Sequence, residues 1–297
     1  MIHMKLQLPY LVNVPPFMLK GLENKKISFL HKIYLIIKGK FVSLIISRIN
    51  GKLFCLLLNL LFKNDGNLYF DGKYYFKKLN EDKKIYYPNK RIQRVLINHV
   101  LHFERLLDSY NLGLVKFEDN DLVIDCGANV GELNLALKSK NIYVNYYGFE
   151  PDVFAYECCK LNNEESKENI KNIGLSDKSG ESKFYEDSFG GNSSLISFGE
   201  NKETSITVEK LDNLKIDQNI KLLKIDAEGY EPEVLKGSKE TLKNIEFISV
   251  DFGPERGVNQ EDTIIEVNDY LIENNFSLIK FEVNRITGLY KNMSNGS

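Results

Sequence analysis

The stretch Asp121 to Gly131, DLVIDCGANVG, decides the fold of this chain. Its uninterrupted apolar run, Leu122 to Ile124, predicts a strand that is buried on both faces of a parallel sheet. Asp125 ends the strand, Gly127 and Gly131 flank a tight turn, and the next residues have the composition of an amphipathic helix. Strand, glycine loop and helix together build a nucleotide pocket, because glycines let the backbone approach a ligand and the helix start offers unpaired N–H groups.

The order of the acid and the glycines separates two versions of this unit. A dinucleotide fingerprint would be G-x-G-x-x-G, whereas here Asp125 takes the first position of the pattern D-x-G-x-x-x-G. Glu150 follows the next apolar segment, residues 144–149, at about the 20-residue offset at which an acid receives ribose hydroxyls. The Asp-first order argues against the nicotinamide version, and the glycine loop together with Glu150 is more informative than either feature alone.

Composition sets the outer limits. A chain of 297 residues that is 43% hydrophobic and 27% charged suits one or two soluble globular domains. A formal charge of −2 argues against nucleic acid as the main partner. The first 23 residues show no signal-peptide pattern, so we expect a cytoplasmic chain. The cysteines have no metal-binding spacing and are expected to be reduced and buried; they are Cys55, Cys126, Cys158 and Cys159.

Residues 24–64 differ in composition from the rest of the chain. They are rich in Ile, Leu and Phe, carry Lys or Arg at intervals, and have no acid between Glu23 and Asp65. The longest uncharged run, Leu53 to Phe62, is well short of the ~18 residues that a membrane span needs. Two interpretations remain: helices that cover the sheet or form a dimer face, or a basic amphipathic helix that lies on the inner face of an anionic membrane.

A hairpin and a helix are expected next. Asp71-Gly72 lies between aromatic, strand-forming runs and predicts the hairpin. Residues 91–110 predict one helix, in which His99 and His102 are expected to be satisfied or surface histidines rather than metal ligands. The expected segments are a helical N-terminal extension over 1–64, a hairpin and helix over 65–115, and the ligand-binding domain over 116–297.

After the glycine loop the chain alternates helices and strands, as a doubly wound α/β domain does. The expected helices are residues 151–163, a segment that begins at Pro232, and residues 261–274. The expected strands are residues 144–149, 170–175, 183–186, 204–208, 246–250 and 278–283. The glycine-rich loop from Ser188 to Ser194 is either a substrate lid or a plain surface connection.

A second informative cluster is KLLKIDAEGYEP, residues 221–232, where an apolar strand again ends in a carboxylate. In an open parallel sheet, ligands bind outside the carboxyl ends of the strands. We therefore expect Asp125, Glu150, Asp226 and Glu228 to converge on one edge of the sheet. Four acids there would suit a cationic or hydroxyl-rich ligand.

These motifs occur with others in a fixed order. GFEP at 148–151, GLSD at 174–177, LDNL at 211–214 and VLKG at 234–237 accompany DLVIDCGANVG and KIDAEGYE. Together they resemble the FkbM family of S-adenosylmethionine-dependent methyltransferases, and VDFGPERG at 250–257 is similar to a subset of it. The resemblance covers about Tyr87 to the C-terminus, and KIDAEG with VLKG is its specific part. Cys126 stands where the family commonly has Val or Ile, and Ala227 stands where it commonly has Val; neither difference affects the expected chemistry.

The resemblance implies a fold and a cofactor site. The fold would be the class I, Rossmann-like one, an α/β sheet of seven mostly parallel strands with helices on both faces. The methionyl end of S-adenosylmethionine would be held by Asp125, Gly127, Ala128, Asn129 and Gly131. The ribose would be held by Glu150 beside Pro151, and the adenine would lie against Leu175, Ser176 and Asp177.

The resemblance also implies an O-methyltransferase that acts on a hydroxyl. A saccharide or glycan precursor is the expected acceptor, with a polyketide or other small secondary metabolite as the alternative. Asp226 and Glu228 are the candidate bases for the acceptor's proton. Asp226 could instead touch the cofactor's amino group, or bind Mg²⁺ or Ca²⁺ with Asp251, although a metal is not expected. A nicotinamide oxidoreductase and a non-catalytic, membrane-docked scaffold stay open as other classes.

Overall fold

A computed structural model describes residues 14–19, 22, 26–81, 83–186, 202–257 and 259–294. The chain divides into two compact units, Met1–His102 and Phe103–Ser297. The loop from Ser188 to Ser194, for which a lid was considered, lies outside the described residues.

The described part of the first unit begins with helices. Their bounds are Pro16–Leu19 (α1), Phe29–Arg48 (α2) and Gly51–Leu61 (α3). Ser28 caps α2, because its hydroxyl oxygen accepts a hydrogen bond from the backbone N–H of His31 at 3.3 Å. Among the described residues, no helix is both long enough and apolar enough to cross a membrane.

A three-stranded antiparallel sheet follows these helices. Its strands, in spatial order, are Asn67–Phe70 (β1), Tyr75–Lys78 (β2) and Lys84–Tyr87 (β3). The turn between β1 and β2 is built by Asp71, whose Oδ1 accepts from the N–H groups of Lys73 and Tyr74, each at 2.8 Å. Gly72 takes a φ of 108° there. The predicted Asp-Gly hairpin is confirmed.

Helix α3 is fixed to this sheet by its side chains. The rings of Phe54 and Tyr75 meet edge to face, with centroids 5.6 Å apart. Asn59 donates to the carbonyl oxygen of Leu68 and accepts from its N–H, both at 2.9 Å, as a strand partner would. The helix therefore covers the sheet with one face.

The single helix predicted over residues 91–110 is wrong. The structure has a 3₁₀ helix at Lys90–Val95 and a separate helix, α4, at His99–Ser109. Between them, the Asn98 side chain accepts a hydrogen bond from the N–H of Leu101 at 2.8 Å. A short polar side chain that caps a helix in this way interrupts the pattern that the apolar residues alone suggest.

The second unit alternates strands and helices as expected. Its strands are Leu122–Cys126 (β4), Asn145–Phe149 (β5), Ile170–Lys171 (β6), Gly174–Leu175 (β7), Gly180–Glu186 (β8), Lys202–Glu209 (β9), Ile220–Ile225 (β10), Ile245–Asp251 (β11), Phe276–Glu282 (β12) and Thr287–Asn292 (β13). Its α-helices after α4 are Glu132–Ser139 (α5), Val153–Asn162 (α6), Glu231–Lys236 (α7) and Ile264–Glu273 (α8).

The main sheet has seven strands in the order β12-β13-β11-β10-β4-β5-β6. Strands β6, β5, β4, β10 and β11 are parallel, and β13 is antiparallel to both of its neighbours. This confirms the predicted Rossmann-like sheet of seven mostly parallel strands. A smaller three-stranded sheet has the order β7-β9-β8.

Strand β4 lies at the point where the order of the sheet reverses. The chain moves from β4 to β5 on one side and later from β10 to β11 on the other. Because such crossovers are right-handed, the connecting helices cover opposite faces of the sheet. The middle of the sheet is fully buried, as Ile124, Leu223 and Ile248 show. A crevice at the carboxyl ends of β4 and β10 is where a sheet of this kind binds its ligand.

One strand prediction in this unit is wrong, and one strand was not predicted. Residues 170–175 do not form one strand, because β6 belongs to the main sheet and β7 to the smaller one. Between them, the Asn172 amide donates to the carbonyl oxygens of Glu150 and Pro151, each at 2.9 Å, and turns the chain away. The predicted strand 278–283 corresponds to β12. The strand that was not predicted, β13, follows it and inserts between β12 and β11.

Candidate functional site

The glycine loop after β4 packs directly against the loop after β10. Gly127 has a φ of 72°, and a Cβ atom at this position would lie 1.9 Å from the carbonyl oxygen of Asp226. The N–H of Asp226 donates to the carbonyl oxygen of Cys126 at 3.1 Å, which joins the two loops from the other side. Residue 127 must therefore be glycine, both for its backbone angle and for this close approach.

Gly131 plays the same role where the loop enters α5. Its φ is 76°, and a Cβ atom would lie 2.1 Å from Nδ2 of Asn163 and 2.8 Å from Sγ of Cys159. Asn129, in the middle of the loop, also has a positive φ, 48°. Ala128 is buried, and its N–H donates to the carbonyl oxygen of Phe149 at 3.0 Å. These contacts hold the loop against β5 and α6 in one backbone conformation.

Asp125 is buried behind the loop and already has partners. Its Oδ2 accepts from the hydroxyl of Tyr146 at 2.8 Å, and its Oδ1 lies 2.9 Å from Nζ of Lys224. Burial raises the pKa of Asp125, and the charge of Lys224 opposes that rise without cancelling it.

Lys224 was missed by the sequence analysis and lies at the centre of this arrangement. Its ammonium donates to the carbonyl oxygen of Gly127 at 2.8 Å and lies 3.7 Å from Oδ2 of Asp226. Burial alone would lower the pKa of Lys224, but the charges of Asp125 and Asp226 outweigh it and the pKa is raised. A charged residue inside the apolar strand 220–225 was the available signal, because a buried lysine needs partners.

Glu150 follows β5 and its carboxylate is aimed by two backbone groups. The N–H of Asn129 donates to Oε2 at 2.7 Å, and the N–H of Asp152 donates to Oε1 at 2.9 Å. Burial raises the pKa of Glu150 to about 7, although both hydrogen bonds oppose the shift. Each carboxylate oxygen can accept a second hydrogen bond, so this group can still receive two hydroxyls.

The turn expected to lie against a base follows β7. Leu175 and Ser176 are buried, whereas Asp177 is exposed. The hydroxyl of Ser176 donates to Oδ1 of Asp177 at 3.2 Å, and a Cβ atom on Gly237 would lie 1.9 Å from the carbonyl oxygen of Ser176. Because Gly237 has no Cβ atom, the C-terminal end of α7 can approach this turn closely. Pro151 directly follows Glu150 and is half-buried.

Asp226 and Glu228 belong to a tight turn between β10 and α7. Glu231, also missed from sequence, fixes this turn: its Oε1 accepts from the N–H groups of Ala227 at 3.1 Å and Gly229 at 3.0 Å. Glu228 takes a φ of 51° as a result. Burial raises the pKa of Glu231 to about 8. The side chain of Glu228 is partly buried beside that of Asp226.

Arg285, from the turn between β12 and β13, joins two of the acids. Its Nη2 lies 2.7 Å from Oδ2 of Asp226 and its Nε lies 2.6 Å from Oδ2 of Asp251. The hydroxyl of Tyr110 also donates to Oδ2 of Asp226, at 2.5 Å. The edge of the sheet is therefore not a cluster of bare acids, because Lys224 and Arg285 supply compensating positive charge.

The same contacts bear on a metal. Asp251, considered as a partner of Asp226 for a divalent cation, binds Arg285 through Oδ2 and the N–H of Gly253 through Oδ1. Burial, followed by the negative charge of Asp226, raises the pKa of Asp251 to about 7. Carboxylate oxygens of Asp226, Glu228 and Glu255 do lie within 4.8 Å of one another. Acidic groups often cluster without an ion, so this cluster by itself does not establish a metal site.

The four cysteines behave as expected. All are free thiols and all are buried. Cys159 lies beside the entry to α5 and Cys126 at the end of β4, and burial raises the pKa of both thiols well above the ordinary range. Cys126 and Cys159 are therefore packing residues rather than nucleophiles.

Two known proteins resemble part of this chain. Hexuronic acid methyltransferase AglP of Haloferax volcanii is 26% identical over 165 residues, which cover 52% of this chain and 64% of that protein. The FkbM methyltransferase structure from Methylobacillus flagellatus KT is 16% identical, with a TM-score of 0.45, over 67% of this chain and 56% of its own. The chain thus spans less than two thirds of the length of either.

The sequence profile of the methyltransferase FkbM domain matches residues 125–278. The matched segment starts at Asp125, at the end of β4, and runs into β12. It includes the glycine loop, Glu150, and the turn of Asp226 and Glu228, and it makes up about half of the chain. The chain therefore belongs to the methyltransferase FkbM domain family.

Proposed function

We propose that this protein is an S-adenosylmethionine-dependent O-methyltransferase whose acceptor is a saccharide or glycan precursor. The observation that carries the cofactor assignment is the pairing of the glycine loop with Glu150. The loop closes on the carboxyl end of β4, and its Asn129 N–H aims the Glu150 carboxylate at 2.7 Å. A carboxylate held this way suits the two hydroxyls of a ribose.

The residues present fit such a cofactor. Glu150, beside Pro151, would receive the ribose hydroxyls. The backbone of Gly127, Ala128, Asn129 and Gly131 would face the methionyl end. The turn of Leu175, Ser176 and Asp177 would lie against the adenine. Asp125 would act through Lys224, which binds the loop carbonyl of Gly127, rather than by reaching the cofactor alone.

The bound cofactor would supply an electrophilic methyl group on a sulfonium. Charge is lost as a methyl group moves to an oxygen, so the protein's contribution is alignment of the acceptor and exclusion of water. A hydroxyl acceptor must also release its proton. Oδ2 of Asp226 already accepts from Tyr110 and Arg285, so we assign proton acceptance to Glu228 and orientation of the site to Asp226.

The saccharide assignment is supported by the relative from Haloferax volcanii, which is named as a hexuronic acid methyltransferase. It is also supported by the mixed charge at the edge of the sheet. Arginine beside carboxylates can hydrogen-bond to a polyhydroxylated ligand through both donors and acceptors. The charged groups of Asp226, Asp251 and Arg285 at this edge of the sheet favour a hydroxyl-rich acceptor over an apolar polyketide.

Calorimetric titration with S-adenosylmethionine and S-adenosylhomocysteine tests the cofactor site. We expect both to bind, and Glu150→Gln to weaken binding about 10- to 100-fold, since hydrogen bonds to a charged group are worth about 1.5–3 kcal/mol. Glu164→Gln, an exposed acid at the start of a 3₁₀ helix, is the matched control and should bind like wild type. If the folded wild type bound neither compound, the result would favour a non-catalytic scaffold over a methyltransferase.

Transfer of a labelled methyl group then tests the acceptor. Oligosaccharides that contain uronic acid, neutral oligosaccharides and a macrolide should be compared under the same conditions. Mild alkali separates the products, because it cleaves a methyl ester on a carboxylate and leaves a methyl ether on a hydroxyl intact. Methylation of the macrolide alone would contradict the saccharide assignment. An alkali-labile product would show a methyl ester and would contradict the assignment of a hydroxyl as the methylated group.

A further inference from the structure

The outer faces of α2 and α3 in the first unit are apolar and uncovered by any described residue. Along α2, Ile37, Phe41 and Leu44 are 65%, 52% and 50% exposed. Along α3, Leu53, Leu56 and Leu60 are 53%, 55% and 74% exposed. Both sets follow the three- and four-residue spacing of a single helix face.

The inner faces of the same helices are already packed. Leu35, Val42 and Ile45 of α2 are buried, and Val14 lies where a Cβ atom on Gly39 would meet it at 2.9 Å. Helix α3 buries Phe54 against the β-sheet. Since α2 is apolar on its packed side and on its outer side, it departs from the surface helix of a globular protein, whose outer face is polar. Isolated exposed apolar residues are ordinary, but a repeated stripe of them indicates an interaction surface.

The charge of this segment indicates what kind of partner the apolar surface binds. Residues 24–64 contain eight Lys and Arg and no Asp or Glu, whereas the whole chain has a formal charge of −2. Lys40, Arg48 and Lys52 are exposed on or between the two helices. Lys38 shows how such residues behave, since its ammonium donates to the carbonyl oxygen of Leu61 at 3.0 Å and lies 4.3 Å from the ring centroid of Phe62. Long basic side chains of this kind can lie along apolar surface and reach charged groups at its rim.

We propose that the outer faces of α2 and α3 dock the protein on the surface of an anionic lipid bilayer. The exposed leucine, isoleucine and phenylalanine side chains enter the acyl boundary, and the flanking cations bind lipid phosphates. A second copy of the chain fits less well, because a two-fold interface through the same face would bring two sets of cations together without acids between them. The proposal does not depend on methyl transfer, and its test uses no substrate.

Flotation of the full chain with vesicles measures the docking directly. We expect binding to phosphatidylcholine vesicles that contain one quarter phosphatidylglycerol, and little binding to pure phosphatidylcholine. Ile37→Ser with Phe41→Ser should lower the partition coefficient about tenfold or more at unchanged charge, because binding follows buried apolar area. Lys40→Gln, Arg48→Gln and Lys52→Gln together should lower it about fivefold per cation at low salt.

A matched control removes three exposed lysines elsewhere. Lys116, Lys178 and Lys239 are exposed in the second unit, and their change to Gln alters net charge equally but should leave vesicle binding nearly unchanged. Circular dichroism melts show whether each variant is folded. Absence of wild-type binding to the anionic vesicles overturns the proposal. So does a wild-type dimer, seen by light scattering, that Ile37→Ser with Phe41→Ser converts to a monomer.

Discussion

Lys77 in the first unit and Lys224 in the second have similar contacts but different roles. Each is buried, each forms an ion pair with a carboxylate, and each donates to backbone carbonyls. Lys77 binds Asp65 and the carbonyl oxygens of Val95 at 2.5 Å and Leu96 at 3.1 Å. It thereby ties a β-strand to the end of a 3₁₀ helix.

The partners of Lys224 differ in position rather than in type. It is on β10, at the carboxyl end of the parallel sheet, and the carbonyl that it holds belongs to Gly127 in the glycine loop. Burial lowers the pKa of Lys77, and Asp65 does not offset this fully, whereas two carboxylates raise the pKa of Lys224. A buried ion pair by itself therefore does not indicate a functional site. An ion pair at the carboxyl ends of the strands in a doubly wound sheet does indicate one.

The largest expected difference in stability comes from replacing one glycine in each unit by alanine. Gly127→Ala would place a Cβ atom 1.9 Å from a backbone oxygen at a φ of 72°, while Gly72→Ala has a φ of 108° and no atom within 4 Å. We expect Gly127→Ala to lower the free energy of unfolding by about 4 kcal/mol or more, and Gly72→Ala by about 1–2 kcal/mol from backbone strain alone. Urea denaturation measures both. Equal losses would mean that the loop can move away from Asp226.

The two lysines give the next comparison. Lys224→Met leaves Asp125 and Asp226 without their shared cation and should cost about 3–5 kcal/mol, the range for breaking a buried pair. Lys77→Met should cost less, because Asp65 is one third exposed and still contacts His99. Only Lys224→Met should also weaken S-adenosylhomocysteine binding when measured by calorimetry on the folded variant. Equally weak binding in Lys77→Met would contradict this difference between the two lysines.

The smallest effect is a difference in pH dependence between two acids. Burial raises the pKa of Glu150 from 4.5 to about 7. The native protein therefore holds a proton that the unfolded chain releases, and this contribution to stability is complete below pH 4.5 and lost as the pH rises through 7. For Asp65, burial is outweighed by His99 and Lys77, so its pKa lies well below 3.8. Its contribution is present above that pH and lost in stronger acid.

Unfolding by urea at a series of pH values separates the two acids. Relative to wild type, Glu150→Gln should gain up to about 3 kcal/mol in the free energy of unfolding between pH 4.5 and 7.5. Asp65→Asn should show no such trend in that window, and should differ from wild type less as the pH falls below 3.8. A flat difference for Glu150→Gln would mean that its carboxylate is ionised at pH 5 in the native state.

Sequence reasoning was strongest where the signal is local. The pattern from Asp121 to Gly131 specifies a buried strand and a loop with positive φ angles within eleven consecutive residues, because the apolar run and the glycines act on their own backbone. The helix Glu132–Ser139 follows directly. The Asp71-Gly72 hairpin follows from the same kind of signal. Where a polar side chain interrupts a periodic pattern, as Asn98 and Asn172 do, the expected element was too long.

The sequence by itself determined the fold class, the glycine loop, the acids at three strand ends and an acid-free stretch near the N-terminus. Only the tertiary structure decided which charges meet. Arg285 lies 59 residues from Asp226 and Tyr110 lies 116 residues from it, and no local pattern encodes such contacts. Similarly, the sequence of α2 spreads apolar residues over all sides of the helix, with Lys and Arg at intervals. Packing alone decides which face is buried, because helix periodicity fixes the faces and the neighbours choose between them.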